Sequence, residues 1–185
     1  GLGGGALCIY SMATVDVVVD ITGVFVGSTR AFEPLTPARL IDTRDAGRRL
    51  APGGTIAVDV AGTNGVPIDA TAATLNVTAV DPASAGYVTV WPCGSERPTT
   101  SNLNVTAGDT RPNLVTVKVG AGGRVCAYSL GAVDLVVDVN GWWGDAGRYA
   151  YTPVAPFRLA DTRDTPGLTR LGAGDTLRVR AAGVG

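Results

Sequence analysis

Two stretches of the chain recur at nearly the same spacing, and that recurrence limits the fold more than any other feature. Residues 4–25 align without gaps on 122–143, an offset of 118, with 11 of the 22 positions identical. Pro37-Ala38-Arg39-Leu40-Ile41-Asp42-Thr43-Arg44-Asp45 returns as Pro156-Phe157-Arg158-Leu159-Ala160-Asp161-Thr162-Arg163-Asp164 at an offset of 119. Self-similarity at a fixed spacing marks an array of like units, and this spacing is one small domain long. The 185 residues are therefore expected to hold the C-terminal end of one repeat (1–26), a complete repeat (32–145) and the N-terminal part of the next (150–185). Both ends are expected to fall inside a unit, so that missing strands come from a longer parent or from neighbouring subunits.

Within the complete repeat, short runs of alternating apolar and polar residues sit between turn signals, which is the pattern of half-buried strands. Strands are expected near 38–44, 55–60, 72–80, 86–92, 101–107, 113–119, 124–129 and 133–140. Pro52-Gly53-Gly54, Asn64-Gly65, Asp81-Pro82, Gly120-Ala121-Gly122-Gly123 and Asn140-Gly141 break them, each a turn-forming combination. No window offers a helical stripe. Eight strands in roughly 110 residues imply an all-β, antiparallel sandwich of jelly-roll or Greek-key type. The alternation puts Leu75, Val77 and Ala79 on the core face, with Thr74, Asn76 and Thr78 opposite. Leu103 and Val105 oppose Asn102, Asn104 and Thr106, and Val115, Val117 and Val119 oppose Thr116 and Lys118. Leu-Asn-Val-Thr-Ala occurs at 75–79 and at 103–107, which suggests two related hairpins.

Of the three cysteines, Cys93 and Cys126 belong to the same repeat. Bridged, they close a loop of about 34 residues and stabilise the fold by about 4 kcal/mol on the loop-entropy model. Cys8 is the counterpart of Cys126 in the preceding repeat, and its expected partner lies outside the chain. Zinc is the competing use of cysteine, but there is no histidine and no Cys-x-x-Cys spacing, so no metal or other cofactor is expected. Disulfide use implies an oxidising, extracellular or cell-surface location. A formal net charge of −1 without a basic run argues against nucleic acid as a partner. No apolar run approaches the roughly 20 residues of a membrane span.

Ala73-Thr74-Leu75-Asn76-Val77-Thr78-Ala79-Val80-Asp81-Pro82, Gly86-Tyr87-Val88-Thr89-Val90-Trp91-Pro92-Cys93-Gly94 and Val137-Asp138-Val139-Asn140-Gly141 form a recognisable set. Together with Ser101-Asn102-Leu103-Asn104, Pro112-Asn113-Leu114-Val115 and Arg39-Leu40-Ile41-Asp42-Thr43-Arg44, they resemble a repeat widespread in exported proteins of actinobacteria and other environmental bacteria. The resemblance covers nearly all of 32–145 and, in part, both ends. It implies a secreted or cell-surface setting and a repeat architecture, and it assigns no chemistry. The first repeat departs from the usual aromatic ending, with Val24-Phe25 where the second has Trp142-Trp143.

Catalysis finds little footing. Without histidine, Ser-His-Asp and Cys-His arrangements are impossible. Asp134 and Asp138, echoed by Asp16 and Asp20, share a strand face about 13 Å apart at a strand rise of about 3.3 Å per residue, wider than glycosidases use. The chain is therefore expected not to be an enzyme. Asp42 is expected to accept local backbone N–H bonds in a turn. Arg44 is expected to pair with Asp138 or Asp134, so that Asp42, Arg44 and Asp138 form a structural ion-pair cluster joining the first and last strands. A calcium site on Asp42 and Asp138 is the functional variant, and its spacing matches no calcium loop. Asn76-Val77-Thr78 and Asn104-Val105-Thr106 are sequons by pattern, read here as hydrogen-bonding positions on the polar face. The leading reading is a structural repeat whose partners are neighbouring repeats or subunits, forming a stalk or filament. Its rival is a glycan-binding adhesin module using Tyr87, Trp91, Trp142 and Trp143.

Overall fold

The computed structural model describes residues 4–45 and 47–183, with the side chains of 20–30 and 151–157 outside that description. It is all-β and antiparallel. Among the described residues eleven strands follow in order: β1 (Ala6–Tyr10), β2 (Val18–Asp42), β3 (Thr55–Asp59), β4 (Ala72–Val80), β5 (Gly86–Pro92), β6 (Leu103–Val105), β7 (Arg111–Lys118), β8 (Arg124–Ser129), β9 (Asp134–Gly144), β10 (Tyr149–Asp161) and β11 (Thr176–Arg180). The chain divides into two compact units, Gly27–Ala150 on one hand and Gly1–Val26 with Tyr151–Gly185 on the other. Among the described residues no helix is long and apolar enough to cross a membrane.

The 27–150 unit is a two-sheet sandwich. One sheet takes the order β2-β9-β4-β7 and the other β3-β8-β5-β6. Their facing side chains make one core, with Leu75 and Val77 of β4, Val115 and Val117 of β7, and Leu135, Val137 and Val139 of β9 on one side. Val58 of β3, Val88 and Val90 of β5, Leu103 and Val105 of β6, and Val125 of β8 meet them from the other. Each such side chain stabilises the fold by about 1.5–3 kcal/mol through burial. The face assignment made from alternation holds: Thr116 and Lys118 are exposed beside buried Val115 and Val117, and Asn104 is exposed between Leu103 and Val105.

Two expectations need correction. The Leu-Asn-Val-Thr-Ala segments do not open related hairpins. β4 pairs with β7 and β9, and β5 with β6 and β8, so the Asp81-Pro82 break sends the chain from one sheet to the other. Asp81 has a φ of 47°, the left-handed backbone that aspartate tolerates better than most residues. The strand expected at 38–44 is instead the end of a 25-residue strand. Pro34 and Pro37 do not stop it, because its pairing with β9 shifts register between Pro34 and Ala38. A bulge is where a strand accommodates a residue that cannot donate to the ladder.

Close approach of backbones explains two glycines. At Gly141 a Cβ would lie 2.3 Å from the Phe32 ring and 2.7 Å from the Glu33 carbonyl oxygen. The Phe32 ring lies 5.1 Å from that of Trp143 and packs over the bare glycine backbone. At Gly120 a Cβ would meet the Cys93 nitrogen and oxygen, each at 2.3 Å. Only glycine lets the 119–124 turn hydrogen-bond to the end of β5, where Ala121 N–H donates to Cys93 O at 2.7 Å.

The smaller unit pairs β1 with β11 in antiparallel register, Cys8 opposite Arg178 and Leu7 opposite Val179. In the 27–150 unit β8 pairs with β3, with Cys126 opposite Ala57 and Val125 opposite Val58. The register is the same at corresponding positions. The Val15–Leu171 bridge corresponds likewise to Val133–Leu50.

Candidate functional site

The Asp-Thr-Arg turn at the end of β2 gathers the densest polar network. Arg44 grips Asp42 with two guanidinium nitrogens, Nε to Oδ1 at 2.9 Å and Nη2 to Oδ2 at 2.6 Å, while its backbone N–H donates to Oδ1 at 3.1 Å. Arg39 donates to Asp42 Oδ2 at 3.0 Å from one nitrogen and to Asp138 from another. Asp42 thus accepts the backbone bond expected of it. The expected pairing of Arg44 with Asp138 or Asp134 gives way to a different arrangement. A two-residue spacing folds the Arg44 fork back on Asp42, and Arg39, opposite Asp138 in the β2–β9 register, takes the carboxylate across the sheet.

Thr43, between them, has no exposed surface. Its hydroxyl donates to Asp134 Oδ1 at 2.8 Å and accepts the Leu135 N–H at 2.9 Å. Its own N–H donates to Leu135 O at 3.0 Å. Arg49 completes the node, with Nη1 2.6 Å from Asp134 Oδ2. The contacts around the Asp-Thr-Arg turn recur in the smaller unit. Arg163 grips Asp161, Arg158 donates to Asp161, and Thr162 meets Val17 N–H and Asp16. Arg170 pairs with Asp16 at 3.2 Å. Asp20, named beside Asp16 at the sequence level, lies outside the described side chains. Reasoning from sequence missed Thr43, Arg39 and Arg49. The signal was present, because Thr162, Arg158 and Arg170 repeat them.

The electrostatics follow from the geometry. The Arg44 guanidinium, hydrogen-bonded to Asp42, holds that carboxyl down to about 2, against the opposing effect of burial and with the Arg44 N–H and the Arg39 charge adding to it. Arg163 lowers Asp161 further for the same reason. Because the Asp42 pKa is about 3.9 in the unfolded chain and lower in the fold, its contribution to stability is complete above about pH 4. It drains away as pH falls from there to about 2. Asp42→Asn should therefore lower the melting temperature at pH 7 and shrink the loss between pH 4 and 2. Thermal melts of both proteins across that range check it, and parallel acid curves would contradict it.

Cys93 and Cys126 form a disulfide, with Cα atoms 5.0 Å apart, and Cys8 is free and exposed. The bridge ties the end of β5 to β8 one step beyond their paired residues, since Trp91 stands opposite Cys126. The aromatic residues proposed for glycan stacking do not share an open face. Trp91 is buried, its indole N–H donating to Ser95 O at 3.1 Å, and the 94–102 loop folds back over β5, where Thr89 donates to Thr100 O. Trp142 belongs to the core. Trp143 is half-buried and donates to Thr74 Oγ1 at 3.2 Å. Tyr87 packs against Tyr128 at 6.0 Å, with the Arg97 guanidinium 4.0 Å over the Tyr128 ring.

No family model, curated protein or solved structure matches this chain. The site's chemistry is therefore read from its geometry alone. Among the described residues no three His, Cys, Asp or Glu side chains converge as a metal site would require. The oxygens of Asp42 that the calcium reading needed already accept from arginines. The two sequon asparagines are engaged locally, Asn76 with Thr78 at 3.4 Å and Asn104 with Ser101 at 2.7 Å. Asp134 and Asp138, each held by a different arginine, are built as struts. The arrangement locks the end of β2 to β9.

Proposed function

We propose that the chain is a non-enzymatic, disulfide-stapled β-sandwich repeat of an extracellular or cell-surface bacterial protein, which builds a stalk or filament by stacking or strand exchange. One observation carries this reading. The Asp-Thr-Arg latch and its strand pairing occur twice, once between the two ends of a single repeat and once between the end of one repeat and the beginning of another. A latch that works in both contexts is what a strand-exchanging array needs. The bridge supports an oxidising compartment, and the absence of histidine, with the aspartates held by arginine, supports a structural role.

Electron microscopy of concatemers of two, four and eight repeats tests the reading. Rods whose length grows in proportion to repeat number are expected, and compact particles of no fixed axis would overturn it. The rival adhesin reading makes Trp91 a ligand platform, whereas its burial beneath the 94–102 loop makes it a clasp. Trp91→Ala should then cost about 3 kcal/mol of stability, as large-to-small changes at buried aromatic sites do. The intact protein should stay silent on a glycan array. Strong glycan binding lost in a variant of unchanged stability would reverse the assignment.

A further inference from the structure

The smaller unit reproduces the latch of the 27–150 unit but not what covers it. β8 has two neighbours, β3 and β5, whereas β1 belongs to a two-stranded sheet with β11 alone. Among the described residues nothing pairs with its other edge. The consequence is measurable in exposure. Val15 is 38% exposed where its counterpart Val133 is fully buried, and Val18 is 43% exposed where Val136 is 5%. Leu7 and Ile9 are half-buried where Val125 and Ala127 are buried. Tyr10 is 63% exposed, while its counterpart Tyr128 lies against Tyr87 and beneath Arg97. Cys8 is free where Cys126 is bridged. The differences at residues 7–10 fall where β5 and the loop after it lie against β8 in the 27–150 unit, and those at Val15 and Val18 fall where β4 lies beside β9.

We propose that the open edge of β1 is a docking site for a β5-type donor strand, a polypeptide segment of the Gly-Tyr-Val-Thr-Val-Trp-Pro-Cys pattern that pairs antiparallel with residues 6–10 and closes a disulfide on Cys8. The register follows from the occupied copy, in which Pro92 faces Val125, Trp91 faces Cys126, Val90 faces Ala127 and Thr89 faces Tyr128. Transferred to β1, the donor's proline meets Leu7, its tryptophan Cys8, its second valine Ile9 and its threonine Tyr10. The donor's cysteine then reaches Cys8 along the same diagonal that joins Cys93 to Cys126. Backbone hydrogen bonds supply affinity at a bare strand edge, and the valines cover Ile9. Closing the bridge removes two protons and two electrons from the two thiols. Oxidised glutathione accepts them, becoming two glutathione molecules by thiol–disulfide exchange.

The site deepens the strand-exchange reading and rests on it, naming which strand is exchanged and where it is fixed. The full oxidised chain, its Cys93–Cys126 bridge closed so that β8 is already occupied, is mixed with a synthetic peptide of residues 84–98 in a glutathione buffer. Mass spectrometry follows the peptide–Cys8 disulfide against a scrambled peptide of the same composition. Coupling about tenfold faster for the native order is expected, since pairing raises the local thiol concentration. In the Cys8→Ser chain the same peptide should slow amide exchange at residues 6–10 without any covalent bond. Equal coupling of the two peptides, or unchanged exchange at saturating peptide, overturns the proposal. Concatemers that still form rods in either event would leave the repeat reading standing, so the two failures are told apart.

Discussion

Replacing Cys93 and Cys126 together by serine should lower the guanidinium midpoint of the 27–150 unit by about 1 M. The bridge spans 33 residues, and a loop of that length restricts the unfolded chain by about 4 kcal/mol. Guanidinium slopes of roughly 3–4 kcal/mol/M for a domain of this size convert that into the expected shift. The readout is selective, because all three tryptophans, Trp91, Trp142 and Trp143, lie in this unit, so indole fluorescence follows its unfolding alone. Two physical routes lead to the loss. The unfolded chain regains freedom, and the end of β5 loses its tether to β8 just where Gly120 admits the 119–124 turn. A double variant with an unchanged midpoint would mean that the packing of Trp91 and the close backbone contact at Gly120 hold β5 in place unaided. Adding reductant to the unaltered chain should reproduce most of the shift, and Cys8→Ser should leave it unchanged.

The strands were legible because they are half-buried, and half-burial writes itself as alternation. β4, β5 and β8 fall at 72–80, 86–92 and 124–129, the bounds that the pattern and the turn residues predict. Pairing was less legible. Nothing in the two Leu-Asn-Val-Thr-Ala copies distinguishes a strand that turns back on its neighbour from one that crosses to the other sheet, since both bury the same face. The length of β2 was hidden by Pro34 and Pro37, which read as breakers unless the bulge opposite Asn140-Gly141 is known. At the latch, sequence pointed to the right turn and the wrong partner for Arg44. Charge alone allows either aspartate, and only the β2–β9 register puts Arg39 before Asp138. The aromatics misled for a related reason. Tyr87 and Trp91 do share a face of β5, but that face lies under a loop whose path is set by Ser95 and Thr100 carbonyls, and no periodicity encodes a loop's path.

Thr43→Val should destabilise the 27–150 unit by about 2–4 kcal/mol although it keeps the size and β-branching of the side chain. The substitution creates no cavity, so the whole effect is polar. Thr43 is fully buried, and its hydroxyl serves one donor and one acceptor, the Leu135 N–H and Asp134 Oδ1. Valine leaves both without that partner, and a buried group stripped of its hydrogen bond costs about 1–3 kcal/mol. Asp134 keeps Arg49 at 2.6 Å, which is why the lower half of the summed range is expected. Thr43→Ser preserves the hydroxyl and removes one methyl group, and should recover all but about 1 kcal/mol. A cycle with Asp134→Ala separates the two bonds. If the hydroxyl acts through Asp134, the double variant loses less than the sum of the singles, and full additivity would assign the effect to the Leu135 N–H alone. Thr162→Val in the smaller unit breaks the counterpart bonds to Val17 and Asp16 but should leave the tryptophan-detected transition where it was. A shift there as large as that from Thr43→Val would mean that the latch in one unit holds the other.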